Sequence, residues 1–283
     1  MTFHGAKNDK DPADTRLALR LYAEYKEFFA TAERTRRRKV FDDIPWDKIR
    51  KDVPEEMATV VETFCGVEAY LPDYIAGGLA VVRPYMGSMW FQANWGYEES
   101  KHALSLQEFL LRSGARTDEQ MVDFQNKLWV GKKWVPPFNT GRQMTIYGAI
   151  QEQATFVFYV RQREAAKEAG HETLATIFDF IARDEIAHAR FYEGVVKVLL
   201  EEDREGTLRD MALVSREFKM PAYDLVPDYD QRVMVMRELA GMDRDMFFQK
   251  VYFPVLKAIG VGRNDVVQAM IRAKKEAEAS GGW

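Results

Sequence analysis

Cysteine is almost missing: the 283-residue chain holds one, Cys65. A lone cysteine closes no internal disulfide, and the expectation is a reducing, cytoplasmic setting. It also builds no thiolate-rich structural zinc site. Histidine is nearly as scarce, at four, so sites made of many imidazoles are excluded. Long apolar runs are absent. The longest candidate, Ala76 to Val82, holds two glycines and falls well short of the ~20 residues that a membrane span needs. Positive charge is not in excess: 40 Lys and Arg face 44 Asp and Glu, for a net charge of -4. General nucleic-acid binding, which needs a strong positive field, is a poor fit. Met1 to Arg20 is polar with charges of both signs and has no apolar centre of the secretory type. No Val/Ile/Thr alternation sustains a sheet, and no internal repeat is evident.

What is there is helical. Hydrophobic residues make up 47% of the chain, enough for a sizeable core, and the length suits a single domain over residues 1–283. Residues 1–15 read as a flexible arm and 265–283 as a polar tail. Thr15 to Lys39 predicts a helix ending in Arg34, Arg36, Arg37, Arg38 and Lys39. That run reads first as a solvated helix end, where cations suit the dipole, and second as a docking patch for an acidic partner. Four longer segments follow the helical period: Pro54 to Val82 with a kink at Pro72, Met86 to Arg112 closed by Gly114, Thr140 to Glu168 closed by Gly170, and Thr173 to Leu200. Beyond them, Leu208 to Phe218, Tyr229 to Leu239, Met246 to Ile259 and Asp265 to Ala279 predict further helices, the last fraying at Gly281. The architecture expected is all-α, a four-helix bundle core with additional helices.

Each long segment carries a glutamate on its apolar stripe: Glu68, Glu99, Glu152 and Glu185. Two add a histidine three residues later, in Glu99-Ser100-Lys101-His102 and Glu185-Ile186-Ala187-His188. Residues i and i+3 share a helix face, so each Glu and its His can reach one ion. An ionised carboxylate persists in a core only when paired or metal-bound, and four together repel one another. Two multivalent cations remove both costs. Four Glu with two His is the known ligand set of di-iron and di-manganese bundles. Such oxygen-rich sites suit iron or manganese over copper. A buried salt-bridge network is the plainer reading, but these stripes hold no Lys or Arg to complete it. A third pair, Glu168 and His171, straddles the helix-ending Gly170, and His171 reads as a surface residue; His4, in the arm, is given no role.

At these residues the chain resembles the soluble acyl-[acyl-carrier-protein] desaturases, the plastid stearoyl type and its bacterial relatives. Val53-Pro54-Glu55-Glu56 and Glu68-Ala69-Tyr70-Leu71-Pro72 resemble the family's first ligand helix. Glu98-Glu99-Ser100-Lys101-His102 resembles its EENRH, Gln151-Glu152-Gln153-Ala154-Thr155-Phe156 its QERATF, Asp184-Glu185-Ile186-Ala187-His188 its DEKRH, and Met220-Pro221-Ala222 its MPA segment. The resemblance covers roughly residues 40 to 225. Its stretch between Glu68 and Glu99 is shorter than in the plant members, with Gly77, Gly78 and Gly87 in a region expected to border the acyl channel.

The resemblance implies a ferritin-like fold and two irons per chain. Glu99 and Glu185 would bridge them, Glu68 and Glu152 would be terminal ligands, and His102 and His188 would complete the set. Asp184 would orient a ligand histidine, Thr155 would aid proton delivery, and Trp46 is a candidate for a family tryptophan in electron entry. The activity implied is O2-dependent insertion of a cis double bond into a saturated fatty acyl chain on acyl carrier protein, with ferredoxin as electron donor, in a cytoplasmic homodimer. Arg34, Arg36, Arg37 and Lys39 are then candidate contacts for the acidic carrier. The alternatives are a related diiron hydroxylase or N-oxygenase acting on another tethered substrate, and a non-catalytic ferritin-like metal-binding protein. A ribonucleotide reductase small subunit is disfavoured by Leu106, which stands where that family has its radical tyrosine.

Overall fold

The computed structural model describes residues 15–241 and 243–279. The expected arm up to residue 14, with His4, and the tail from residue 280, with Gly281, lie outside the described residues. Helix α1 spans Thr15–Thr35, and a short α2 spans Val40–Asp43. Then come α3 (Glu55–Glu68), α4 (Leu71–Val82), α5 (Met86–Ser113), α6 (Asp118–Trp129), α7 (Gly141–Glu168) and α8 (Glu172–Glu202). The chain closes with α9 (Arg204–Glu217), α10 (Tyr229–Ala240), α11 (Arg244–Phe247), α12 (Phe253–Ala258) and α13 (Arg263–Ala279). The described residues contain no strand.

Helices α3, α5, α7 and α8 form the bundle, with α7 and α8 as its most extensive pair. Helix α1 lies outside it, across α5 and α8, and buries Leu17, Leu21, Tyr25, Phe28 and Ala32, one face at helical spacing. It ends at Thr35, four residues short of the expected Lys39, and the chain is extended at Lys39. The single helix expected from Pro54 to Val82 is two, broken at Ala69 and Tyr70. Pro72 is the reason: its ring excludes a normal turn back to the carbonyl of Glu68. Glu68 is therefore the last residue of its helix.

Helix α5 closes on Gly114 in the left-handed region, φ 76°, a conformation glycine adopts without strain. Helix α6 is an addition to the expected set. Its start is a capping box: Gln120 N–H donates to the Thr117 hydroxyl and Thr117 N–H to the Gln120 side chain. Between α11 and α12, Phe248–Tyr252 forms a π-helical turn. Pro254 has no N–H for the carbonyl of Lys250, which accepts instead from the Gln153 amide at 3.2 Å.

Candidate metal centre

The six residues singled out by their spacing converge in the bundle interior. Glu68 comes from the end of α3, Glu99 and His102 from α5, Glu152 from α7, and Glu185 and His188 from α8. All six are buried, and both histidines are 0% exposed. They fall into two groups, Glu68, Glu99, His102 and Glu185 in one and Glu99, Glu152, Glu185 and His188 in the other, with donor atoms within 4.8 Å of one another in each. Glu99 and Glu185 belong to both.

The two histidines are oriented alike. Nδ1 of His102 lies 3.1 Å from Glu99 and 3.4 Å from Glu185, and Nδ1 of His188 lies 3.0 Å from Glu99 and 3.5 Å from Glu152. Each Nε2 points outward to a carboxylate: His102 to Asp184 at 3.2 Å, His188 to Glu98 at 2.8 Å. An ionised carboxylate only accepts, so each Nε2 carries a proton, and each Nδ1 faces inward, where it could ligate a metal once its own proton is displaced. Tyr159 donates to Glu68 at 2.8 Å and the Trp95 indole to Glu152 at 3.1 Å.

These residues fit a pair of metal ions. Glu99 Oε1, Glu152 Oε2, Glu185 Oε2 and His188 Nδ1 are buried with no hydrogen-bond partner. Glu99 Oε1 and His188 Nδ1 are 3.0 Å apart yet badly angled for a bond, so both face a common point rather than each other. Native interiors rarely leave such atoms unpaired. The electrostatics agree. Burial, then Glu99 nearby, pushes the Glu68 carboxyl up to about 8. Burial with Glu99 and Glu152 pushes Glu185 well above the usual range. At Glu99 burial is outweighed by His102 and His188, which hold it low, and the carboxylates hold both histidines well above theirs. Without cations the cluster keeps protons to offset its own repulsion.

Of the layer behind the ligands, the resemblance implied only Asp184; Glu98 and the arginines were missed. Glu98, buried, is bonded by His188 and by Arg37 at 2.7 Å. Asp184 is bonded by His102 and Arg38, while Arg36 lies between the two carboxylates, 3.4 Å from Glu98 and 3.6 Å from Asp184. Against its burial, the hydrogen bond from His102, then the charge of Arg38, holds Asp184 down to about 2. The basic run divides: Arg34 and Lys39 are exposed, whereas Arg36, Arg37 and Arg38 reach inward. This corrects the carrier-contact reading for Arg36 and Arg37. The available signal was the acid before each ligand, Glu98 before Glu99 and Asp184 before Glu185. The indole of Trp46 donates to the Val40 carbonyl at 2.9 Å. His171 is buried, 3% exposed, not a surface residue. It sits before α8, away from the cluster, and its neutral form is favoured by burial and Arg50.

One side of the centre opens to a largely apolar cavity that Glu68, Glu99, Glu152 and Glu185 line together with Phe64, Val82, Phe158 and Met236. Thr155 is in its wall; its hydroxyl donates to the Gln151 carbonyl at 2.9 Å and accepts from the Gln151 amide at 3.1 Å.

A ferritin-like helical bundle whose carboxylate–histidine cluster can bind two metal ions is the class that this fold and site define. Within it, the chain belongs to the fatty acid desaturase family, whose model matches residues 44–256. Curated relatives are stearoyl-[acyl-carrier-protein] 9-desaturases of chloroplasts. One from Olea europaea is 28% identical over 226 residues, 76% of this chain and 57% of that protein. One from Arabidopsis thaliana is 30% identical over 248 residues, 86% of this chain and 53% of that protein. The chain thus spans about half the length of the curated relatives it matches. Among solved structures, DesA2 of Mycobacterium tuberculosis H37Rv, described provisionally as an acyl-ACP desaturase, superposes with a TM-score of 0.67 at 19% identity, over 90% of this chain and 99% of that one. An R2-like ligand-binding oxidase with an Fe/Fe cofactor superposes at 0.52 and 16% identity, over 90% and 92%. These two share the fold.

Proposed function

We propose that this chain is an acyl-[acyl-carrier-protein] desaturase that uses O2 to insert a cis double bond into a carrier-tethered saturated acyl chain, with electrons from a ferredoxin-type donor. The observation that carries this reading is the paired cluster, sharing Glu99 and Glu185 and facing an apolar cavity. Glu68, Glu99 and His102 would hold one iron with Glu185, and Glu152 and His188 the other with the same shared pair. Bound there, iron supplies the oxidising power that unactivated C–H bonds demand and no side-chain acid or base provides.

The chain's own residues do the rest. Asp184 and Glu98 fix the rings of His102 and His188, and Arg36, Arg37 and Arg38 neutralise those two acids. Trp95 and Tyr159 aim Glu152 and Glu68. The apolar cavity wall excludes water and lays the chain beside the cluster. Thr155, one turn from Glu152 in the cavity wall, would aid proton delivery to the cluster, with its hydroxyl held in place by Gln151. A homodimer is part of the reading. Met86, Trp90, Tyr97 and Leu104 are exposed on one face of α5, a linear apolar stripe suited to a second copy.

The test is iron content, followed by reaction of the reduced protein with saturated acyl carrier protein, ferredoxin, its reductase and O2, and mass spectrometry of the released acid. Two irons per chain and a product two hydrogens lighter support the proposal. A hydroxylated product moves it to an oxygenase, and iron-free protein from iron-replete cells sinks it. E99Q and E185Q, each removing a shared ligand, should cost both irons; E68Q should cost one.

A further inference from the structure

The cavity wall has polar groups that the reading above leaves unused. Gln92, on α5, lines the cavity, is 7% exposed, and its side-chain amide has no hydrogen-bond partner among the described residues. Several other polar groups in that wall are satisfied within the protein. The Tyr74 hydroxyl donates to the Val67 carbonyl, Tyr147 to that of Lys219 and Thr145 to that of Gly141. A side chain this buried whose amide finds no partner in the protein is rare, and this one packs against Gly78 of α4. A Cβ on Gly78 would lie 2.8 Å from Gln92 Cδ and Nε2. Tyr192, on α8, also lines the cavity and is seated the same way over Gly148, whose Cβ would lie 2.8 Å from the ring. Gln92 precedes Glu99 by two helical turns and Tyr192 follows Glu185 by two turns, each about 10 Å along its helix from the ligand.

We propose that Gln92 and Tyr192 form a polar subsite that binds an oxygen function, a hydroxyl or carbonyl, carried by the substrate about 10 Å from the carbon oxidised. The proposal rests on the acyl-chain reading of the cavity. An amide offers both a donor and an acceptor, as does a phenol, so a hydroxyl can use both and a carbonyl can accept from both. A plain methylene chain would leave Gln92 unpaired in a dry tunnel, which disfavours it relative to an oxygenated one.

The experiment measures binding to the iron-loaded protein by displacement of a fluorescent fatty acid. The competitors are palmitic acid, the positional series of monohydroxypalmitic acids, and S-palmitoyl pantetheine. One hydroxy isomer, or the pantetheine thioester, should bind about tenfold more tightly than palmitic acid, the scale of a buried hydrogen bond. A gain with the hydroxy acid assigns the oxygen to the chain; a gain with the thioester assigns it to the carrier arm. Q92M should bring the ratio to about one. G78A, which drives a methyl group against the amide, should do the same, and retained iron content and melting temperature show that both variants are folded. Equal binding of all competitors by the wild type, or discrimination that survives both variants, overturns the subsite alone. Failure of every competitor to bind overturns the acyl reading with it.

Discussion

Arg38 and Asp184 are an ion pair out of water, and their weight shows in what happens when one is lost. Removing the cation leaves a buried carboxylate with only His102 and the more distant Arg36 to offset it, which costs up to about 3–5 kcal/mol. R38M should therefore lower the unfolding free energy of the loaded protein by that order in urea titration, and R38M/D184N should recover part of it; a loss below ~1 kcal/mol in R38M would contradict the pairing. Cys65 gives a second prediction. Burial, then Glu68 and Glu62, pushes its thiol up from 9.0 to about 12. The folded thiol should resist thiol reagents at neutral pH, and its labelling rate should follow global opening. Because the unfolded thiol ionises lower than the folded one, this group's contribution to stability falls as pH rises from about 9 towards 12. Four of the six cluster residues were legible in sequence because Glu-x-x-His on an apolar stripe is a local pattern; Glu68 and Glu152, lone glutamates on their stripes, leaned on the family resemblance. Glu98 and the arginines were not legible, because their contacts are distant: Arg38 meets Asp184 across 146 residues and Asp184 meets His102 across 82.

At the scale of elements, helix period located the four bundle helices and most of the C-terminal ones. It failed where a single residue redirects the backbone. Pro72 divides α3 from α4, and Pro254 turns one expected helix into α11, a π turn and α12. Helix α6 was missed although Thr117 and Gln120 stand at capping-box spacing, because the signal is two residues deep and the helix is short. Gly87 shows how α1 is held. A Cβ there would lie 2.6 Å from the Leu21 carbonyl oxygen, a backbone atom that moves only with its helix. G87A should cost about 1–3 kcal/mol by overpacking and raise hydrogen exchange across α1; exchange unchanged from wild type would mean that α1 is not seated through this contact.

For the whole molecule, metal and fold are linked. A ligand that binds only the native state stabilises it by about 4 kcal/mol at a thousandfold excess over its Kd. Chelation should accordingly lower the melting temperature by several degrees, and readdition of iron should restore it. An unchanged melt would mean that the four buried carboxylates are stable on protons alone. The exposed stripe on α5 makes the complementary prediction about assembly: W90E with Y97E should convert a dimer to monomers in light scattering while leaving iron content intact. Fold class was readable from composition and period, since an absence of strands and four long stripes leave few other architectures. The apolar face of α5 was not, because exposure depends on which helices cover which.

The wiring behind the two histidines is crossed. Helix α5 supplies the acid that holds the histidine of α8, and α8 supplies the acid that holds the histidine of α5. In a chimera built with a relative, grafting either helix alone would mismatch a partner at both metal positions. Grafting α5 and α8 together would carry the circuit across intact, provided that residues 36–38 travel with them. The unit of exchange in this protein is therefore a pair of helices and a tripeptide from outside the bundle, not any contiguous stretch of chain.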